Sequence, residues 1–216
     1  MDKTITSVPA NRYAENFSSP EDAVSAALNA YTVANVRGAG MLSGHLQGNF
    51  LKMISLMVRP RNVLELGTYT GYATIALAAG LQDGGHVHTI DTDSTLQDVR
   101  DSHWKEAGLA GKIIQHTGKA LDVLPTLRPV PFDLAFIDAD KGNYKHYLDL
   151  LLEMMPADST IIIDNTLFHG EVFDEATSDR NAIKIHDFNQ YLQQLPDVFH
   201  VLLPIRDGIT LVRKTR

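Results

Sequence analysis

Six residues carry side chains whose types and spacing can act together: Glu65, Asp91, Asp138, Lys141, Asp164 and Asn165. The four acids share one placement, since each lies at or near the end of a short apolar run (residues 63–66, 86–90, 132–137 and 160–163) that reads as a buried strand. In a parallel sheet the carboxyl ends of the strands lie along one edge, and that edge is where ligands bind. Aspartate is also a common turn former, so each acid alone says little and the combination carries the weight. Asp138, Asp164 and Asn165 offer hard oxygen donors from two strand ends, and with no cysteine in the chain the cations that suit them are Mg²⁺, Ca²⁺ or Mn²⁺. Two independent turn caps account for the same three residues equally well. Lys141 stands three residues beyond Asp138 at a helix start, where its charge opposes the helix dipole. Beside a divalent cation its pKa would fall from about 10.4 toward neutrality, which makes it a candidate general base; the plain alternative is a solvated surface lysine.

A glycine turn supplies the second element of a site. Asn62-Val63-Leu64-Glu65-Leu66-Gly67-Thr68-Tyr69-Thr70-Gly71-Tyr72 reads as a strand, a tight turn and a helix containing Ile75, Leu77, Ala78 and Ala79, with Thr68 or Thr70 as its cap. Such a unit aims free backbone N–H groups at a ligand. The spacing is Gly-x-x-x-Gly, so neither the dinucleotide fingerprint nor a P-loop is present, and a tight turn without a ligand stays open. Asp91 falls where nucleotide-binding α/β units place a carboxylate on ribose hydroxyls, about 20 to 25 residues past the turn, the plain alternative being a solvated turn acid. Glu65 would be costly to bury alone, so it needs either a cationic ligand group or backbone N–H donors.

The elements that must position these residues follow from periodicity. Residues 1–18 are polar without a clear period and predict an arm or irregular lead-in. Ser19-Pro20-Glu21-Asp22 predicts a helix start with Ser19 as the cap, running to about residue 36. A second helix is predicted over 47–58, with Phe50, Leu51, Ile54 and Val58 on its apolar face, stopped by Pro60. Both precede the first strand and are expected to cover the sheet. Strands and helices then alternate: helix 96–107, strand 112–115, a short helix 120–127 cut by Pro125, helix 144–154 and helix 182–195. Two final strands, 198–203 and 209–212, suggest an antiparallel pair. The pattern predicts a doubly wound α/β sheet in a single domain over 1–216, with 1–60 as arm and cover helices and 61–216 as the α/β core.

Composition removes several classes of function. The 216 residues are 44% hydrophobic and 21% charged, ordinary for a globular chain, and a net charge of −7 argues against a general nucleic-acid binder. No apolar run approaches the roughly 18 residues that a membrane span needs, and no secretory leader is evident. The absence of cysteine rules out disulfides and thiolate chemistry and fits a cytoplasmic protein.

With those residues identified, the chain resembles the cation-dependent class I O-methyltransferases of the caffeoyl-CoA and catechol O-methyltransferase type. Four stretches carry the likeness: Leu64 to Tyr72, Phe136-Ile137-Asp138-Ala139-Asp140-Lys141-Gly142-Asn143-Tyr144, Asp164-Asn165-Thr166-Leu167 and Asp207-Gly208-Ile209-Thr210. The resemblance implies a Rossmann-like sheet of seven mostly parallel strands with the last antiparallel, and S-adenosylmethionine across the glycine turn. It implies cofactor contacts at Glu65, Gly67, Thr68, Tyr69, Ala73, Asp91, Ala120 and Asp138, with Met41 and Ser43 in a loop that touches cofactor or substrate. It assigns Asp138, Asp164 and Asn165 to a divalent cation (Mg²⁺, or Mn²⁺ or Ca²⁺) and Lys141 to proton removal. The implied reaction is methylation of one hydroxyl of a catechol-like acceptor, by a homodimer. Ala73 stands where plant members carry serine, His169 where they carry asparagine, and Arg180 matches a substrate-side arginine only loosely. The competing readings are a nucleotide-dependent oxidoreductase, which lacks its glycine fingerprint here, and a non-catalytic cofactor-binding protein, which would not need the ligand set and Lys141 together.

Overall fold

The structure, a computed structural model, describes residues 5–216. At its centre is β1 (Asn62–Leu66), flanked by parallel β2 (His86–Asp91) and β4 (Leu134–Ile137). With β3 (Ile113–Thr117), β5 (Thr160–Asp164), β6 (Val198–Leu203) and β7 (Ile209–Lys214) it forms a seven-stranded sheet of order β3-β2-β1-β4-β5-β7-β6. Only β7 runs against its neighbours, pairing antiparallel with both β5 and β6, as the sequence predicts for the last strand.

Alternation along β1 builds a core on each face. Leu64 and Leu66 join Ile137, Ile163, Tyr144, Leu148 and Ile185 on one side, under α6 (Ala120–Val123), α7 (Tyr144–Met154) and α8 (Arg180–Gln193). Val63 joins Leu51, Leu77, Phe136 and Ile162 on the other, under α3 (Gly44–Val58) and α4 (Tyr72–Ala78). Beyond them, α2 (Ala23–Asn35) and α5 (Gln97–Glu106) enclose a third cluster of Leu28, Tyr72 and Trp104. Glu65 shares the pleat of Val63, so its carboxyl points toward α4 rather than outward.

Three local expectations are corrected. Within the lead-in, Val8–Asn16 is a helix, α1, started by Ser7, whose hydroxyl accepts from the Ala10 N–H, with Pro9 in the first turn. No residue of α1 is buried, so there was no apolar stripe to give it a period. The cap of α2 is Asp22, which accepts from the Ser25 N–H at 2.9 Å, not Ser19. Neither Thr68 nor Thr70 caps α4; Gly71 does so with a left-handed φ of 83° and no side-chain bond. The break at Pro125 is present, with α6 passing into a 3₁₀ turn over Leu124–Leu127.

Candidate active site

The carboxyl ends of β1, β2, β4 and β5 open into a cleft of about 1480 Å³. Met41, Gly67, Tyr69, Asp91 and Ala120 line it, and so do Asp138, Lys141, Asp164 and Asn165. Ser43, Glu65, Thr68 and Ala73 do not line it; they stand behind the lining, and exposed Arg180 also lies outside it.

The glycine turn is shaped from two sides. Gly67 has φ 95°, and a Cβ there would lie 2.1 Å from the Asp138 carbonyl oxygen, so the turn and the start of the next loop touch through backbone. Across the turn, Asp91 Oδ2 accepts from the N–H groups of Thr68 at 2.9 Å and Tyr69 at 2.8 Å, while Oδ1 accepts from the Asp93 N–H at 2.9 Å. Arg100, a residue the sequence reading passed over, completes this clamp from α5. It is 1% exposed, donates through Nε to the Tyr69 carbonyl at 2.6 Å, and pairs with Asp91 at 3.5 Å. The signal was an arginine four residues before Trp104 on a helix whose only buried residues are those two.

Glu65 is fully buried. Its Oε2 accepts from the hydroxyls of Thr74 and Thr89, both at 2.6 Å, and Oε1 has no hydrogen-bond partner. Backbone N–H groups therefore do not satisfy it, and burial pushes its carboxyl up to about 8. An orphaned acidic oxygen behind a backbone cradle suits a ligand with a positive group. Thr68 takes no part in capping; its hydroxyl lies 2.6 Å from that of Thr89.

The second cluster sits on the adjacent ends of β4 and β5, where Ile137 pairs with Ile163. Lys141 Nζ donates to Asp138 Oδ1 at 3.1 Å and to the Tyr144 hydroxyl at 2.8 Å, and that hydroxyl donates to the Asp164 carbonyl at 3.1 Å. Burial alone would lower the Lys141 ammonium, but Tyr144, Asp138 and Asp164 outweigh it and hold it above the ordinary lysine range, opposite to the direction expected beside a cation. Asp164 is pushed up to about 7 by burial and by the charge of Asp138. Gln47 Nε2 donates to Asp164 Oδ2 at 2.8 Å, and the Asn165 N–H to Oδ1 at 2.7 Å. The Asn165 side chain donates to Asp207 at 2.9 Å. Among the described residues no three His, Cys, Asp or Glu converge as a metal group. The candidate donors are instead two carboxylates and a carboxamide, a set that suits an oxygen-seeking cation. His169, at φ 58° beside Phe168 at 38°, lines the same end of the cleft and pairs with Asp207 at 3.2 Å.

Residues 15–215 match the O-methyltransferase family. The chain belongs to that family. It is 34% identical to a catechol O-methyltransferase of Niastella koreensis over 175 residues, covering 80% of this chain and 78% of the relative. It is 34% identical to a caffeoyl-CoA O-methyltransferase of Mesembryanthemum crystallinum over 179 residues, covering 78% and 70%. Among solved structures, the O-methyltransferase TomG of Streptomyces achromogenes, involved in tomaymycin synthesis and bound to S-adenosylmethionine, superposes with a TM-score of 0.86 at 28% identity over 96% of each chain. An O-methyltransferase of Bacillus cereus bound to S-adenosylhomocysteine gives 0.85 at 30% identity, over 96% of this chain and 97% of that one. This S-adenosylmethionine-dependent O-methyltransferase therefore carries its glycine turn and its acid cluster in one cleft, and the oxidoreductase and non-catalytic readings are set aside.

Proposed function

We propose that this O-methyltransferase moves the methyl group of S-adenosylmethionine to one hydroxyl of an ortho-dihydroxy aromatic, with a divalent cation held by Asp138, Asp164 and Asn165. The observation that supports it most is the convergence of those three residues and Lys141 on the cleft that also holds Gly67 and Asp91. A cation bound there would supply the charge that lowers the pKa of the acceptor hydroxyl.

The chain's own residues do the remaining work. The Gly67–Gly71 turn receives the cofactor, Glu65 answers its amino group, Asp91 its ribose, and Ala120 lies by the adenine. Thr68 and Tyr69 hold Asp91 in place through their N–H groups; Ala73 closes the helix start behind them, and Met41 frames the entrance with Ser43 behind it. In the transfer the bond from carbon to the sulfonium sulfur breaks, a carbon–oxygen bond forms, and S-adenosylhomocysteine leaves. The phenolic proton goes to Lys141 Nζ. Tyr144 and the two carboxylates hold Lys141 protonated, and the carboxylates are the ones assigned to the cation; with their charge neutralised, burial would weigh more heavily on the ammonium and pull it down. Positioning and electrostatics supply most of the rate, since the displacement needs no covalent help from the protein.

Chelation tests this reading. EDTA-treated enzyme should lose methylation of catechols and regain it with Mg²⁺, with Mn²⁺ and Ca²⁺ as the other cations to compare; unimpaired turnover after chelation overturns the cation role. The same reading takes residues 1–216 as one methyltransferase domain working as a cytoplasmic homodimer, which light scattering on the purified chain would check. Among the described residues no helix is long and apolar enough to cross a membrane.

A further inference from the structure

The turn between β6 and β7, Pro204 to Gly208, is remote in sequence from every residue assigned a role above, yet it reaches the acid cluster twice. Arg206 at φ 51° and Gly208 at φ 86° are both left-handed, and the residue between them, Asp207, is 5% exposed. The Thr166 N–H bonds to the Gly208 carbonyl at 3.0 Å and the Leu167 N–H to the Asp207 carbonyl at 2.9 Å, so the turn is anchored to the segment that follows Asn165.

Each arm of the turn decides the orientation of an amide. A guanidinium only donates hydrogen bonds. Arg206 Nη1 donates to Gln47 Oε1 at 3.0 Å, and to the carbonyls of Leu42 at 3.0 Å and Ser43. Gln47 must therefore turn its oxygen to Arg206 and its NH₂ to Asp164 Oδ2. A carboxylate only accepts. Asp207 takes the Asn165 NH₂ on Oδ2 and the His169 backbone N–H on Oδ1, which obliges Asn165 to present its oxygen, not its nitrogen, on the side away from Asp207. An oxygen is the atom that a hard cation needs.

We propose that Asp207 and the Arg206–Gln47 pair are positioning residues for the cation site: Asp207 makes Asn165 an oxygen donor, and Arg206 through Gln47 fixes the carboxylate of Asp164. The inference rests on the cation reading above. Partners behind metal ligands typically change metal affinity by about 10–100-fold when altered.

The test is Mn²⁺ binding to the full chain, followed by electron paramagnetic resonance, alongside calorimetric affinity for S-adenosylhomocysteine. Asp207→Asn keeps the size of the side chain but lets Asn165 rotate, and should weaken Mn²⁺ by about 10–100-fold while leaving S-adenosylhomocysteine affinity unchanged. Gln47→Leu removes both ends of the Arg206–Gln47–Asp164 link and leaves Asn165 and Asp207 untouched; it should weaken Mn²⁺ as well, and it decides alone if Asp207→Asn fails to fold. The exchanged pair Asn165→Asp with Asp207→Asn should bind Mn²⁺ as tightly as Asn165→Asp alone, because a carboxylate at 165 shows oxygen whichever way it turns; a merely structural role for Asp207 predicts that Asp207→Asn weakens Mn²⁺ by the same factor in both backgrounds. Unchanged Mn²⁺ affinity in the Asp207→Asn and Gln47→Leu variants, beside a wild type that binds, overturns this inference alone. A wild-type chain that binds no Mn²⁺ overturns the cation reading and this inference together.

Discussion

Glu65 has one oxygen held by two threonine hydroxyls and the other held by nothing, and its carboxyl sits at about 8 against an ordinary 4.5. Between those values the folded chain binds a proton that the unfolded chain has released, so this residue's contribution to stability is complete below about 4.5 and is lost as pH rises to about 8. Glu65→Gln removes that dependence. Its melting temperature should match the wild type near pH 4.5 and exceed it by pH 8, by at least about 1 kcal/mol, or roughly 2–4 °C for a chain of this size. A difference that stays flat across that range would show that burial is not what loads the residue. Lys141→Met separates chemistry from binding at the other end of the cleft: kcat should fall by about 100-fold, as for a lost general base, with the affinity for S-adenosylhomocysteine unchanged in calorimetry. Equal loss of both would make Lys141 a structural partner of Asp138. These residues were legible in the sequence because each stands at or just past a strand end. Gln47 and Arg206 were not, and Asp207 stood out only as part of a stretch that carries the likeness, with no role attached, since their partners lie 117, 159 and 42 positions away and only the fold brings them together.

At the scale of elements, the strands and the later helices were legible because burial on both faces leaves near-continuous apolar runs. Val198–Leu203 and Tyr144–Met154 fall on the ranges the sequence predicts, and β5 gains only Asp164. What the sequence hid was local capping and any helix that buries nothing, as α1 and the start of α2 show. The glycine turn was legible as a turn, but not the two different reasons for its glycines. A Cβ at Gly67 meets the Asp138 backbone at 2.1 Å, whereas a Cβ at Gly71 meets the Trp104 side chain at 2.6 Å. Both positions are left-handed, so both alanine variants carry strain of about 1–3 kcal/mol. Backbone on a central strand end yields less than an indole. Gly67→Ala should therefore lower the melting temperature more than Gly71→Ala and weaken S-adenosylhomocysteine binding with it; the reverse order in a thermal scan would mean that Trp104 is the stiffer wall.

Across the whole molecule, the sheet and its two helical layers form a rigid base and the lead-in lies over one corner of it. Helix α1 buries no residue, yet the chain just before it is tied to the β6–β7 turn beside Asp164 and Asn165. The Ile5 N–H bonds to the Arg206 carbonyl at 2.9 Å, and Ile5 Cγ2 lies 3.6 Å from where a Cβ at Gly170 would be. Thr6 bonds through its hydroxyl to the Pro204 carbonyl at 3.2 Å. Little apolar area is at stake in these contacts, so their loss costs little stability. Their position is over the turn that orients Gln47 and Asn165 and over the Phe168–Phe173 segment beside the cleft. Removing residues 1–17 should leave the melting temperature within about 2–4 °C of the full chain, the equivalent of 1 kcal/mol, and should leave S-adenosylhomocysteine affinity unchanged. The KM for a catechol acceptor should rise several-fold, because the corner beside Asp164 and Asn165, where the proposed reaction puts the acceptor, is loosened while the cofactor turn at the end of β1 is untouched. Loss of cofactor affinity in the truncated chain would instead make the lead-in part of the fold's foundation, and an unchanged acceptor KM would detach it from the site altogether.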